Sequence, residues 1–212
     1  MGTRNLTCVV LDGEYKIAQY GQWDGYPSGQ GLAILRFITE DGSLARLKEK
    51  LPRCRFFEEG GRDKELLDSY NKNAPEWSSD PDNRTDEQKR WFKTYISRDL
   101  GGKILRAVAD SEDEEILLRG FLEFAGESLS CEWAYVIDFD KKTFEVYRGF
   151  NTEPLDPSER FANLETDDFK FNNEDNNPYS YYQVKHLITF DLCNLPNELE
   201  FLGSCQELDK EE

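Results

Sequence analysis

The chain has a single histidine, His186, and this scarcity removes several kinds of catalytic and metal site. A metal centre with two or more histidine ligands cannot form within one chain, and a Ser-His-Asp or Cys-His arrangement would depend on this one imidazole. The Gly-x-Ser-x-Gly motif that carries the nucleophile in many hydrolases is also absent. Because His186 alternates with Val184, Ile188 and Phe190 in an apolar run, we expect a core or sheet-edge residue.

Close cysteine pairs and phosphate-binding motifs are missing as well. The five cysteines are widely spaced, which excludes a zinc ribbon or a Cys-x-x-Cys redox motif and favours reduced structural thiols. Asp80, Asp82 and Asp86 resemble the start of a calcium-binding loop. Thr85, however, replaces its turn glycine, and Trp91 replaces its bidentate glutamate. No glycine-rich stretch is followed by the lysine of a P-loop, so we expect no metal site and no cofactor.

Positive charge and long apolar runs are both scarce. The chain has 26 Lys and Arg against 43 Asp and Glu, a formal net charge of −17. This balance argues against nucleic acid and anionic membranes as partners, because both are bound through Lys and Arg. No apolar run approaches the roughly 20 residues that span a bilayer, and no apolar targeting segment opens the chain. We therefore expect a cytoplasmic protein whose acidity serves solubility or meets a basic partner.

Two hairpins and one further strand are predicted from apolar, β-branched segments. Leu6–Leu11 is a strand buried on both faces, Asp12-Gly13 is a hairpin turn, and Tyr15–Tyr20 is the return strand. Alternation places Tyr15, Ile17 and Gln19 on one face of that second strand. The remaining predicted strands lie towards the other end of the chain: Cys131–Phe139, Thr143–Tyr147 and Val184–Phe190.

The segments between the hairpins are predicted to be mainly helical. Leu32–Ile38 has a broad apolar stripe, and Ser28 is the expected N-cap of its helix. Ser111 and Glu114 resemble a capping box, and the apolar residues that follow have helical spacing up to Gly126, the expected C-cap. Another helix is predicted around Trp91–Ile96.

These elements predict one α+β domain over residues 1–205. Its antiparallel sheet of about five strands consists of two hairpins and a C-terminal strand, and a central helical region covers it. Residues near 151–180 are rich in Asp, Asn, Glu and Pro and are expected to be a loop-rich insertion. Residues 206–212 are expected to be a disordered acidic tail.

The segment from Tyr20 to Gly31 has the most unusual composition in the chain. It places four glycines, one proline and three large aromatic residues between a predicted strand and a predicted helix. Loops on rigid elements carry binding groups, and aromatic side chains with a polar atom suit ligand and partner surfaces. The predicted binding residues are Tyr20, Gln22, Trp23, Asp24 and Tyr26. The alternative is that the glycines allow the loop to pack closely against the sheet and that Asp24 only makes a turn.

The residues that enter the first strand are expected to lie beside this loop. In a hairpin the start of the first strand faces the end of the second, which brings Asn5 close to Tyr20. We therefore predict that Arg4 and Asp24 approach each other, as an ion pair or as the polar floor of a pocket. Thr3, Arg4, Asn5 and Asp24 are the candidate catalytic groups.

Three short segments characterise the start of the chain: Gly2–Thr7, Gln22–Pro27 and Gly29–Gly31. With them, about the first 35 residues resemble a family of uncharacterised fungal and phage proteins. It implies no assigned activity. At the level of fold the start also resembles N-terminal nucleophile hydrolases, in which a small residue leads into a hairpin of an antiparallel sandwich. In such enzymes the nucleophile is the first residue, so Thr3 would qualify only after loss of Met1 and Gly2.

Two hypotheses therefore follow from the sequence. In the first, the protein binds an unidentified small molecule or protein partner through the N-terminal hairpin and the loop Gln22–Gly31. In the second, it is a hydrolase-like enzyme that uses the same end of the sheet. The first is favoured because no nucleophile and base can be named as a pair.

Overall fold

A computed structural model of the protein describes residues 2–58, 61–66, 68, 85, 97, 99–166 and 180–208. It has the expected α+β class, with a sheet of five strands. The predicted helix at Trp91–Ile96 and the acidic residues Asp80, Asp82 and Asp86 lie outside the described residues.

The described elements are strands and short helices. The strands are β1 (Asn5–Leu11), β2 (Glu14–Gly21), β3 (Cys54–Phe56), β4 (Ile116–Leu118), β5 (Trp133–Asp138), β6 (Thr143–Arg148) and β7 (Lys185–Asp191). The α-helices are α1 (Leu32–Thr39), α2 (Ser43–Lys50), α3 (Lys103–Ala109) and α4 (Glu198–Leu208). Two 3₁₀ turns, Leu51–Arg53 and Leu122–Gly126, and a π-turn, Pro27–Gly31, connect them.

The main sheet is mixed, not purely antiparallel as the sequence predicted. Its strand order is β2-β1-β5-β6-β7, and every neighbouring pair is antiparallel except β1 and β5, which run parallel. Both strands of this parallel pair are buried along their whole length, as is usual for parallel strands covered on both faces. The parallel pair joins the two predicted hairpins side by side.

Different elements cover the two faces of the sheet. The helix-covered face carries Val9, Ile17 and Phe144, which pack against apolar residues of all four helices. The loop-covered face carries Leu6, Ala18 and Val136, which pack against the segment around Ala125 and the loop around Phe161. Strand alternation therefore decides which of two separate cores a side chain enters.

A β-bulge corrects the predicted orientation of Tyr15. The pairing of β1 with β2 shifts between Val9 and Val10, so that Ile17 pairs with Val9 and Tyr15 with Val10. The extra residue, Lys16, breaks the alternation. Tyr15 therefore packs on the loop-covered face, against Phe161, whereas Ile17 lies on the helix-covered face.

The predicted helix between Ser111 and Gly126 is wrong. Residues Ile116–Leu118 form β4, which pairs in parallel with β3, and only Leu122–Gly126 makes a 3₁₀ turn. The Ser111 hydroxyl accepts from the backbone N–H of Asp113 at 3.1 Å, within a turn. Helical spacing of apolar residues is a local signal, and pairing with a strand about 60 residues away overrides it.

The C-terminal end is helical further than the sequence predicted. Helix α4 extends to Leu208, so residues 206–208 are not part of a disordered tail, and residues 209–212 lie outside the described range. Phe201 and Cys205, one turn apart, are fully buried against the helix-covered face. Burial of this side of α4 stabilises the helix beyond its own propensity.

A buried charged cluster joins the loop 151–166 to the loop-covered face. The Arg160 guanidinium donates to both carboxylate oxygens of Glu145, at 2.7 and 2.8 Å, and to Asp138 at 2.5 Å. The Tyr147 hydroxyl donates to Glu145 at 2.5 Å. Because Arg160 lies in a segment without helix or strand, these bonds fix the position of that segment on the sheet.

The pKa of Glu145 reflects this environment. Burial by itself raises the pKa of the carboxyl group, but hydrogen bonds from Arg160, Tyr147 and Thr143 favour the ionised form more strongly and lower the pKa from 4.5 to about 2. Burial also raises the pKa of the Tyr147 hydroxyl, which therefore stays protonated and donates to Glu145.

We expect Arg160→Met to destabilise the fold by about 3–5 kcal/mol, because it leaves two buried carboxylates without their cation. The measurement is the free energy of unfolding in urea. Arg36→Met is the matched control, since the Arg36–Glu198 ion pair is exposed on the surface, where solvent screens it and it contributes little to stability. Equal losses in both variants would contradict the structural role given to Arg160.

The stability of the protein should also fall in acid through Glu145. Its pKa is lower in the folded than in the unfolded chain, so its ionised form stabilises the fold above about pH 4.5, and this contribution is lost as pH falls towards 2. The full contribution is about 3 kcal/mol. Urea unfolding at several pH values should show a shallower acid dependence for Glu145→Gln than for the unchanged protein, and parallel curves would contradict the assignment.

Candidate functional site

The loop Gln22–Gly31, called the glycine loop below, is fixed over one end of the sheet. The Gly25 N–H donates to the Thr3 carbonyl at 2.9 Å. The Tyr135 hydroxyl, on the central strand β5, donates to the Gly25 carbonyl at 2.7 Å. The predicted convergence of the chain start with this loop is therefore confirmed, and the register pairs Asn5 with Gly21 and Leu6 with Tyr20.

A π-turn, not a capped helix start, leads from the glycine loop into α1. The turn spans Pro27–Gly31, and no side chain caps α1, so the predicted N-cap role of Ser28 is wrong. The Gln30 N–H donates to the Asp24 carbonyl at 2.8 Å. The Gln30 side chain accepts from the Gly102 N–H at 2.9 Å, which connects the loop to the start of α3.

Two predicted binding residues, Trp23 and Tyr26, are exposed on the outside of this loop. Their side chains are 55% and 52% exposed. A Cβ at Gly2 would overlap the Trp23 ring, so the chain start lies directly against one side of the indole. Asp24 is exposed between them, with a positive φ of 55°.

The other two predicted binding residues, Tyr20 and Gln22, have mainly structural contacts. Tyr20 is buried on the loop-covered face, with its ring 5.1 Å from that of Phe124. The Tyr20 hydroxyl donates to the Gln22 side chain, and the Gln22 N–H donates to Asp99 at 2.6 Å. Tyr20 is therefore a core residue, whereas Trp23 and Tyr26 are exposed.

The candidate catalytic residues do not form a charged pair. Thr3 is buried, and its carbonyl is bound to Gly25. Within the described residues no salt bridge includes Arg4 or Asp24. The predicted ion pair is therefore wrong. The side chain that reaches the glycine loop from the chain start is Asn5, whose amide nitrogen donates to the Trp23 carbonyl at 3.3 Å.

A layer of buried polar side chains beneath the glycine loop was not recognised from the sequence. Asn5, Thr7, Gln19 and Trp133 all lie on the helix-covered face near this end of the sheet, and each is at most 2% exposed. The available signal was the placement of Asn5 and Thr7 at alternate positions of a strand that otherwise reads as apolar. A polar residue at a buried strand position requires a partner.

Cys8 and His186 have the surroundings of structural residues. Burial raises the pKa of the Cys8 thiol to about 12, which makes this cysteine inert. His186 is on the exposed edge strand β7, as expected, and its Nε2 lies 2.7 Å from the Thr189 hydroxyl. No group of three or more metal-ligating side chains occurs within the part of the chain that the structure describes.

Comparisons with protein-family models, with curated proteins and with solved structures found no match to this chain. The resemblance of the first 35 residues to a fungal and phage family therefore stays a prediction. Among the described residues, no helix has the length and apolar character that crossing a bilayer requires.

The close packing of the glycine loop gives a test of its rigidity. A Cβ at Gly29 would overlap the Asp24 carbonyl oxygen, so we expect Gly29→Ala to destabilise the fold by roughly 1–3 kcal/mol. Gly203→Ala is the control, because a Cβ there meets nothing within 4 Å. Alanine also favours a helix such as α4 by up to about 1 kcal/mol. Urea unfolding should therefore show opposite signs, and a harmless Gly29→Ala would contradict the tight packing.

Proposed function

We propose that this protein is a binding module whose ligand or partner contacts the outer surface of the glycine loop. Trp23 and Tyr26 are the main contact residues, and Gln22 and Asp24 supply polar atoms beside them. The observation that carries the proposal is the exposure of both aromatic side chains, 55% and 52%, on a backbone fixed by hydrogen bonds.

Exposed aromatic residues on a rigid backbone favour binding for two reasons. Trp and Tyr bury a large area on contact and retain a hydrogen-bonding atom, which is why they dominate the energetics of many interfaces. A loop that is already ordered loses little conformational entropy when a partner binds. The bonds from the Gly25 N–H to Thr3 and from Tyr135 to the Gly25 carbonyl provide this order.

The hydrolase hypothesis has no comparable support. Among the described residues, no side chain hydrogen-bonds to the Thr3 hydroxyl, and the one histidine is on the distant edge strand. A cytoplasmic location remains part of the proposal. It is supported by the five cysteines, all of which are free thiols, as expected in a reducing compartment.

The proposal is tested by screening fragments and short peptides against protein labelled with ¹⁵N at tryptophan side chains. We expect the ligands found to shift the Trp23 indole N–H signal. Trp23→Ala and Tyr26→Ala should each weaken their binding by about 30-fold or more, as for residues that dominate an interface. Neither change should lower the free energy of unfolding appreciably, because both side chains are more than half exposed.

Leu199→Ala is the matched control for loss of an exposed apolar side chain. Leu199 is 83% exposed on α4, and its removal should leave the affinities unchanged. A screen whose ligands leave the Trp23 signal in place, or bind Trp23→Ala as well as the unchanged protein, would count against the proposal.

A further inference from the structure

Four buried side-chain nitrogen and oxygen atoms have no protein hydrogen-bond partner. All four belong to the layer beneath the glycine loop. They are Asn5 Oδ1, Thr7 Oγ1, Gln19 Oε1 and Trp133 Nε1, and the structure has no others of this kind among its described residues. Thr7 pairs with Gln19 across β1 and β2, and Asn5 pairs with Trp133 across β1 and β5. Neighbouring strand positions therefore bring these atoms to one region of the helix-covered face.

The orientation of the two carboxamides is fixed by their neighbours. The Asn5 amide nitrogen donates to the carbonyls of Gly21 and Trp23, at 3.2 and 3.3 Å. The Gln19 amide nitrogen donates to the carbonyls of Tyr20 and Ser97, at 2.9 and 3.2 Å. Exchanging oxygen and nitrogen in either group would place two acceptors against each other, so both oxygens remain free acceptors.

The layer lies directly under the glycine loop. A Cβ at Gly25 would lie 3.1 Å from the Asn5 Cβ, and one at Gly21 would lie 2.7 Å from Asn5 Oδ1. The Asn5 carboxamide thus occupies the place where a side chain at Gly21 would lie.

A buried polar atom without a partner lowers the stability of a fold, and a group of four in one place calls for an explanation. We propose that this layer is a binding site for a small uncharged molecule that carries both N–H or O–H donors and an acceptor. Its donors bind Asn5 Oδ1 and Gln19 Oε1, and its acceptor receives the Trp133 indole N–H. Thr7 serves as donor or acceptor between them.

The chemistry of the layer favours an uncharged ligand. None of its four side chains is ionisable, and burying an unpaired charge costs far more than burying an amide or a hydroxyl. One described cation beside the layer is Arg148, whose guanidinium carbon is 4.7 Å from the Trp133 ring centroid. Arg148 donates to the Glu132 carbonyl at 3.0 Å. A primary carboxamide has the required two donors and one acceptor on three atoms.

The first test compares Thr7→Val with Thr143→Val in the full chain. Valine has nearly the shape of threonine, and the Thr7 hydroxyl has no protein partner. Without ligand, the Thr7→Val variant should therefore melt at the same temperature as the unchanged protein or higher. The Thr143 hydroxyl donates to Glu145 at 2.8 Å, so Thr143→Val should melt lower. If Thr7→Val melts as low as Thr143→Val, the hydroxyl is already satisfied by ordered water and the layer is only structural.

The second test uses acetamide as the probe and acetate as its charged counterpart of the same shape. The Trp133 indole N–H signal, identified by its loss in Trp133→Phe, should shift saturably with acetamide in the millimolar range, as expected for so small a molecule. It should not shift with acetate. No acetamide shift, an equal acetate shift, or an equal acetamide shift in Thr7→Val would overturn the proposal.

The two proposals fail separately. Trp23→Ala removes the outer contact surface but leaves the buried layer, so it should still show the acetamide shift at Trp133. Thr7→Val alters the layer but leaves Trp23 and Tyr26 exposed, so ligands of the outer surface should bind it normally.

Discussion

The parallel pairing of β1 with β5 is the constraint on which the rest of the structure depends. It joins two hairpins that lie more than 100 residues apart in the chain into one sheet. It also sets the register that places Asn5 beside Trp133 and the chain start beside Glu132. Parallel pairs need long connections, and here the connection contains α1, α2 and α3, three of the helices that cover one face of the sheet.

The sheet is buried on both faces, and each face carries one cluster of polar side chains. One cluster is charged and the other is uncharged. On the loop-covered face, Arg160 donates hydrogen bonds to Glu145 and Asp138, and these bonds hold an irregular segment in place. On the helix-covered face, the layer beneath the glycine loop is uncharged and keeps four atoms without a protein partner. The first arrangement stabilises the fold. The second lowers stability, because a buried polar atom without a partner loses its hydrogen bonds to water.

Local sequence patterns predicted the elements that short-range chemistry specifies. Asp12-Gly13 predicted the first hairpin, and the alternating residues around Trp133 and Tyr147 predicted the second. The glycine loop was recognised as a surface because aromatic residues in a glycine-rich loop have no structural need to be there, and the exposure of Trp23 agrees with this. The bulge at Lys16 could not be predicted, because it depends on how β1 and β2 pair and not on either strand alone.

By itself, the sequence determined the class of fold, the two hairpins, the loop between β2 and α1, and the exclusion of a metal centre with several histidine ligands from one chain. These follow from residue type and spacing over a few positions. The tertiary structure decided the parallel β1–β5 pair, the formation of β4 where a helix was predicted, and the grouping of Asn5, Thr7, Gln19 and Trp133. Each of these depends on which distant segments pack together, and the free energy of such contacts cannot be read from neighbouring residues in the chain.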